Sequence, residues 1–162
     1  MHFLRNLILD GQWEDADIFI KTIFEKSLGN TDDASDNGYG EAMNQINYQI
    51  KKEIYLELLF TNDLENNQNY VVELVKEMEA LSPSKEAHFE LCNRLNYPRL
   101  QNHPEYADWN ISIGRFDCFN FVKNILSEIL NIRIGVDQNG GVELRRAPSG
   151  RLSKLLQDSV LY

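Results

Sequence analysis

The sequence predicts an all-α fold, an antiparallel array of about seven or eight helices. Three observations carry that expectation. Apolar residues recur at spacings of three and four along most of the chain, which lines them up on one face of a 3.6-residue helix. Prolines, glycines and polar runs cut this pattern into short lengths, and short connections join antiparallel neighbours. Strand-like alternation is confined to one segment, "NIRIGVDQNGGVELRR" at 131–146, which reads equally well as a small hairpin about Asn139-Gly140 or as an irregular loop.

The elements follow in order. Phe3, Leu4, Leu7 and Ile8 mark a short first helix that breaks at Asp10-Gly11. Trp13, Ala16, Phe19, Ile20, Ile23 and Phe24 stripe a second, ended by Gly29. "GNTDDASDNGYGE" at 29–41 is polar, acidic and glycine-bearing, and reads as a flexible loop. Met43, Ile46, Ile50, Ile54 and Leu58 define a third helix, and "NDLENNQ" is a connector. Val71, Leu74, Val75, Met78 and Leu81 form the fourth stripe. In the fifth helix Ser82 is the expected N-cap and Pro83 the first helical residue. Phe89, Cys92 and Leu95 are expected to face inward from it. Phe116, Phe119, Val122, Ile125, Leu126 and Ile129 give another strongly apolar helix, and "APSGRLSKLLQDSVLY" supplies a last short one.

At 162 residues the chain is read as a single domain over 1–162, able to bury roughly 70% of its unfolded surface. Hydrophobic residues make up 43% and charged residues 25%, ordinary globular values, so folding needs no disulfide or metal. Cys92 and Cys118 read as small apolar residues in a reduced compartment, cytosolic or nuclear. No signal peptide and no run of ~18 apolar residues is present in the sequence. Twenty-five acids against sixteen bases give a charge of −9, a field that repels phosphate backbones and anionic lipid. A basic protein or peptide is therefore the expected partner, rather than nucleic acid or membrane.

Enzyme chemistry has no residue set to stand on. "HPE" at 103–105 has the His-x-Glu of zinc deaminases, but their Pro-Cys-x-x-Cys is missing. His88 and Cys92 offer two zinc ligands where a structural site takes four. No nucleophile elbow surrounds any of the three histidines. The expectation is a non-enzyme without cofactor or metal. The densest chemistry, "PRLQNHPEYADWN" at 98–110, reads as an architectural corner. Pro98 and Pro104 force turns at about Tyr97 and His103. Tyr106 and Trp109 pin the segment to a core, Arg99 and His103 bond exposed carbonyls, and Asp108 or Asn110 caps the helix that follows.

These residues also carry a resemblance. "FLRNLILDGQWEDADIFI" resembles the opening of a CTLH domain. "SPSKEAHFELCNRLNYPRLQNHPEYADWNISIGRFDCF" is similar to the matching part of the N-terminal CTLH/CRA-like region of the nemitin family of WD-repeat proteins. The shared motif includes Pro98, Arg99, Leu100, Asn102, His103, Glu105, Asp108, Trp109 and Asn110, with Arg115 and Cys118-Phe119 beyond it. The resemblance implies a helical dimerisation and docking module in a cytoplasmic, cytoskeleton-associated, microtubule-related scaffold. It implies partners with basic amphipathic helices, as in the calmodulin-regulated spectrin-associated proteins. The LisH helices and propeller of that family are not among these residues, so the chain reads as a fragment or a shortened relative. Related LisH-CTLH proteins also serve as oligomerisation modules of transcription corepressors and ubiquitin ligases, the alternative reading.

Charge places the docking face. Residues 61–90 hold seven acids against Lys76 and Lys85. Of these Glu73, Glu77, Glu79, Glu86 and Glu90 fall on expected helices, where a basic helix would find both carboxylates and an apolar floor.

Overall fold

In the computed structural model, the backbone of residues 1–28 and 37–139 is described. Among these residues the fold is all-α: α1 (His2–Leu9), α2 (Trp13–Leu28), α3 (Asn37–Thr61), α4 (Gln68–Leu81), α5 (Lys85–Asn93) and α6 (Ile111–Asn139). Three short 3₁₀ turns, Arg94–Asn96, Leu100–Asn102 and Pro104–Tyr106, lie between α5 and α6. Six helices are thus described where seven or eight are expected, and the last expected one lies outside the described residues. None of the six is long and apolar enough to cross a membrane.

Two expected boundaries move. Residues 37–41, expected in the acidic loop, form the first turn of α3, while 29–36 lie outside the described residues. Residues 131–139, expected as hairpin or loop, continue α6, so the strand-like alternation there is overridden by helix; 140–146 lie outside. Helix ends elsewhere are set by local chemistry. Gly11 (φ 72°) and Asn62 (φ 55°) take the left-handed conformation just past α1 and α3. Each ending is closed by paired backbone bonds, Gly11 to Ile8 and Gln12 to Leu7, then Asn62 to Leu59 and Asp63 to Leu58. The fifth helix starts later than expected. Ser84 is its N-cap, its Oγ accepting from Ala87 N–H at 3.1 Å, whereas Ser82 follows α4 and Pro83 precedes the helix.

The chain divides into two compact units, 1–39 with 119 onward, and 40–118. In the first, α1 and α2 bury Leu4, Leu7, Ile8, Ala16, Ile20 and Phe24, and the Phe3 and Phe19 rings meet edge-on at 5.1 Å. Phe119, Val122, Ile125 and Leu126 are buried along α6. In the second, one apolar cluster joins Tyr55, Leu56 and Leu59 of α3, Val71, Leu74 and Met78 of α4, Leu91 of α5, and Leu100 and Tyr106 of the turns.

Three inward expectations fail. Phe89 is 65% exposed, and Leu95 and Phe116 are exposed at 43% and 47%; Cys92 is only half-buried. Leu91 and Arg94, three residues apart, hold the interior positions instead.

Candidate functional site

The corner at 94–110 is built on Leu100 and Tyr106, which anchor it in the apolar cluster. Around Tyr106 the rings form a chain of contacts, edge-on for Tyr97 to His103 at 4.9 Å, Tyr106 to Trp109 at 6.2 Å and Trp109 to Phe60 at 5.5 Å, and tilted for His103 to Tyr106 at 5.6 Å. Each such pair adds ~0.5–1.5 kcal/mol beyond the area it buries. The Arg94 guanidinium lies over the Tyr106 ring, 4.9 Å from its centre, and its Nη2 donates to Glu105 Oε2 at 3.0 Å.

Local bonds explain the turns. His103 Nδ1 accepts from the Glu105 N–H at 3.2 Å and so caps the third 3₁₀ turn; among the described residues it bonds no carbonyl, which corrects the role expected of it. Asn110 rather than Asp108 caps α6, its Oδ1 accepting from Ile113 N–H at 3.0 Å. Arg99 is exposed and makes no side-chain bond among the described residues, which corrects its expected role at a carbonyl. Pro98, Asn102 and Asp108 are exposed too. The motif therefore contributes an anchored bend.

A second arrangement carries chemistry that the sequence did not single out. Glu57 of α3 and Arg115 of α6 meet fork to fork, Nε to Oε1 at 2.7 Å and Nη2 to Oε2 at 2.9 Å. One turn back on α3, Glu53 is 2% exposed, and its Oε1 has no hydrogen-bond partner among the described residues. Burial first, then the neighbouring Glu57, push its carboxyl up to about 8. It is packed so closely that a Cβ on Gly114 would lie 2.1 Å from Glu53 Oε1 and 2.4 Å from the Trp109 ring. Helix α6 can approach α3 here only because residue 114 has no side chain. The signal was faint but present: Glu53 and Glu57 fall in register with Ile46 and Ile50, charged residues on an apolar stripe.

The thiols are not activated. Burial, then Glu53 and Glu57, raise the Cys118 thiol well above its usual value; burial, then Glu79, raise Cys92. A nucleophilic cysteine needs the opposite shift. Cys92 Sγ sits 3.5 Å from His88 Nε2 one turn away on α5. Among the described residues no three His, Cys, Asp or Glu groups stand together as metal ligands.

The five expected docking acids are all exposed, but they do not form one set. Glu73 and Glu77 share a face of α4, and Glu86 and Glu90 share one of α5, each pair four residues apart. Glu79 points elsewhere on α4, near Cys92. Glu77 is already bonded to Lys51 of α3, which removes it from the free charge. No family model matches the chain.

Proposed function

We propose that this chain is a non-enzymatic docking and dimerisation module, a CTLH/CRA-like helical array in a cytoplasmic, microtubule-related scaffold that takes basic amphipathic helices. The observation that carries the reading is on α5, where Phe89 is 65% exposed and Glu86 and Glu90 are in solvent on the same short helix. The combination recurs on α4, with Val72 53% exposed beside Glu73. Large apolar side chains standing in water among carboxylates suit a ligand helix whose apolar stripe is bordered by Lys and Arg. The net charge of −9 favours a cationic partner, and the resemblance at 98–110 supports the cytoskeletal setting.

Exposed ion pairs contribute only ~0.2–1 kcal/mol each, so apolar anchors carry affinity while charge sets encounter rate and orientation. Titration calorimetry with a Lys/Arg-rich amphipathic helical peptide tests this. Binding that weakens as salt rises is expected, and Phe89→Ala should weaken it about tenfold or more. Absence of any salt-dependent binding would remove the docking reading. Light scattering of the chain should give a dimer mass, and a monomer mass would remove dimerisation.

A further inference from the structure

One exposed link in the second unit has the form of an enzyme's substrate. Between α4 and α5 runs Ser82-Pro83-Ser84-Lys85. Of the four prolines, at 83, 98, 104 and 148, only Pro83 follows a serine or threonine, so the chain holds a single Ser-Pro step. The proline sets the local backbone. It bars Ser82 from helix, and α4 stops there with Ser82 at φ −65°, ψ 139°. Ser84 is extended as well, at φ −155°, ψ 160°. Pro83, Ser84 and Lys85 are exposed, and so are Glu79 and Ala80 in the last turn of α4. Whereas α1 and α3 end in paired backbone bonds, no capping bond closes α4 among the described residues. Fraying α4 back to the buried Met78 therefore lengthens the extended run at small cost. The Ser82 hydroxyl lies at the surface and donates to the Ser84 carbonyl at 2.8 Å, a bond that water can replace.

We propose that Ser82 is the acceptor of a proline-directed protein kinase, and that its phosphate strengthens the acidic face offered to a basic helix. The γ-phosphoryl group of ATP moves to Ser82 Oγ: its bond to the ADP oxygen breaks as the new O–P bond forms, and the hydroxyl proton passes to a base of the kinase. A residue without an N–H after the acceptor suits only an enzyme that asks for no hydrogen bond there. Kinases that select a basic run ahead of the acceptor find none, since residues 77–81 read Glu-Met-Glu-Ala-Leu. Lys85, three residues past Ser82, is exposed and pairs with no carboxylate among the described residues, which leaves it for an anionic group of the enzyme. The phosphate brings about −1.5 to −2 charges at neutral pH. It falls between Glu79 near the end of α4 and Glu86 near the start of α5. The two helix dipoles act on it with opposite signs, so folding changes little. What changes is the field beside Glu86, Phe89 and Glu90. That second half of the proposal rests on the basic-helix reading; the modification itself does not.

The full chain is incubated with magnesium, ATP and a proline-directed serine/threonine kinase active on its standard substrate, beside a peptide of residues 76–88. Intact mass should show one added phosphoryl group, and fragmentation should place it on Ser82. Ser82→Ala and Pro83→Ala should lose it, while Ser84→Ala keeps it. Phosphate on the peptide but none on the folded chain means that the link is closed to the enzyme, and phosphate on neither means that the motif is not read. Either result overturns the proposal. Calorimetry with the Lys/Arg-rich helix then compares the two forms: the phosphorylated chain should bind several-fold more tightly at low salt, and high salt should erase the gain. Equal affinity of the two forms strikes out the regulatory half. Binding by neither form counts against the docking reading and leaves the modification standing.

Discussion

Two arginine–glutamate pairs in the second unit use the same groups to opposite ends. Arg115 and Glu57 are both sheltered, their side chains 21% and 15% exposed, and they bond through two N–H···O contacts. Arg94 is as deep or deeper, but its partner Glu105 hangs in solvent on one bond. The first arrangement closes on itself and fastens α6 to α3. The second rests on one such bond and on the ring of Tyr106. Burying a cation is costly unless its bonds are satisfied, so the two pairs differ in how much of that cost the fold meets from within.

The comparison can be broken most severely at Gly114. An alanine there puts a methyl group into the space of Glu53 and Trp109, and Gly114→Ala is expected to lose about 2–3 kcal/mol by urea denaturation. Wild-type stability in that variant would mean that α6 is not held against α3 at this point. Next comes the closed pair itself: Glu57→Gln strips Arg115 of its charged fork and should cost about 2 kcal/mol. Thermal melts at low and high salt would differ little, because a sheltered pair is poorly screened.

Glu53 sharpens the comparison through pH. Its carboxyl is raised from the ordinary 4.5 to about 8, so the folded chain holds this proton more tightly than the unfolded chain does. The stability linked to it is complete below about 4.5 and is lost as pH rises through about 8. Glu53→Gln should flatten that decline, leaving stability nearly unchanged in acid and raising it by about 1 kcal/mol near pH 9. Denaturation of both proteins across pH would show this; parallel curves would mean that Glu53 ionises freely. The smallest effect belongs to the open pair. Glu105→Gln should cost under about 1 kcal/mol, since its carboxylate is mostly in water and Arg94 keeps the Tyr106 ring.

Much of the framework was legible before any coordinates, because periodicity states which face of a helix is apolar. Val71, Leu74 and Met78 are buried as their spacing predicts, and the turns at Pro98 and Pro104 occur where the prolines demand them. Periodicity does not say whether an apolar face finds a cover. Phe89 and Phe116 sit on good stripes yet remain exposed, by 65% and 47%. Nor does it say which charged residue will be drawn inside. Arg94 and Glu53 read as ordinary surface charges until distant segments, the 104–106 turn and Gly114, are seen against them. The expected docking acids were recognised as a number rather than as a shape, and Lys51 shows the difference by occupying Glu77.

The contact between positions 53 and 114 also makes a statement about ancestry. The two share one small volume, so neither can enlarge alone. Among descendants of this sequence, a side chain gained at 114 should travel with a shortened residue at 53, two changes more than sixty positions apart that drift would have to make together.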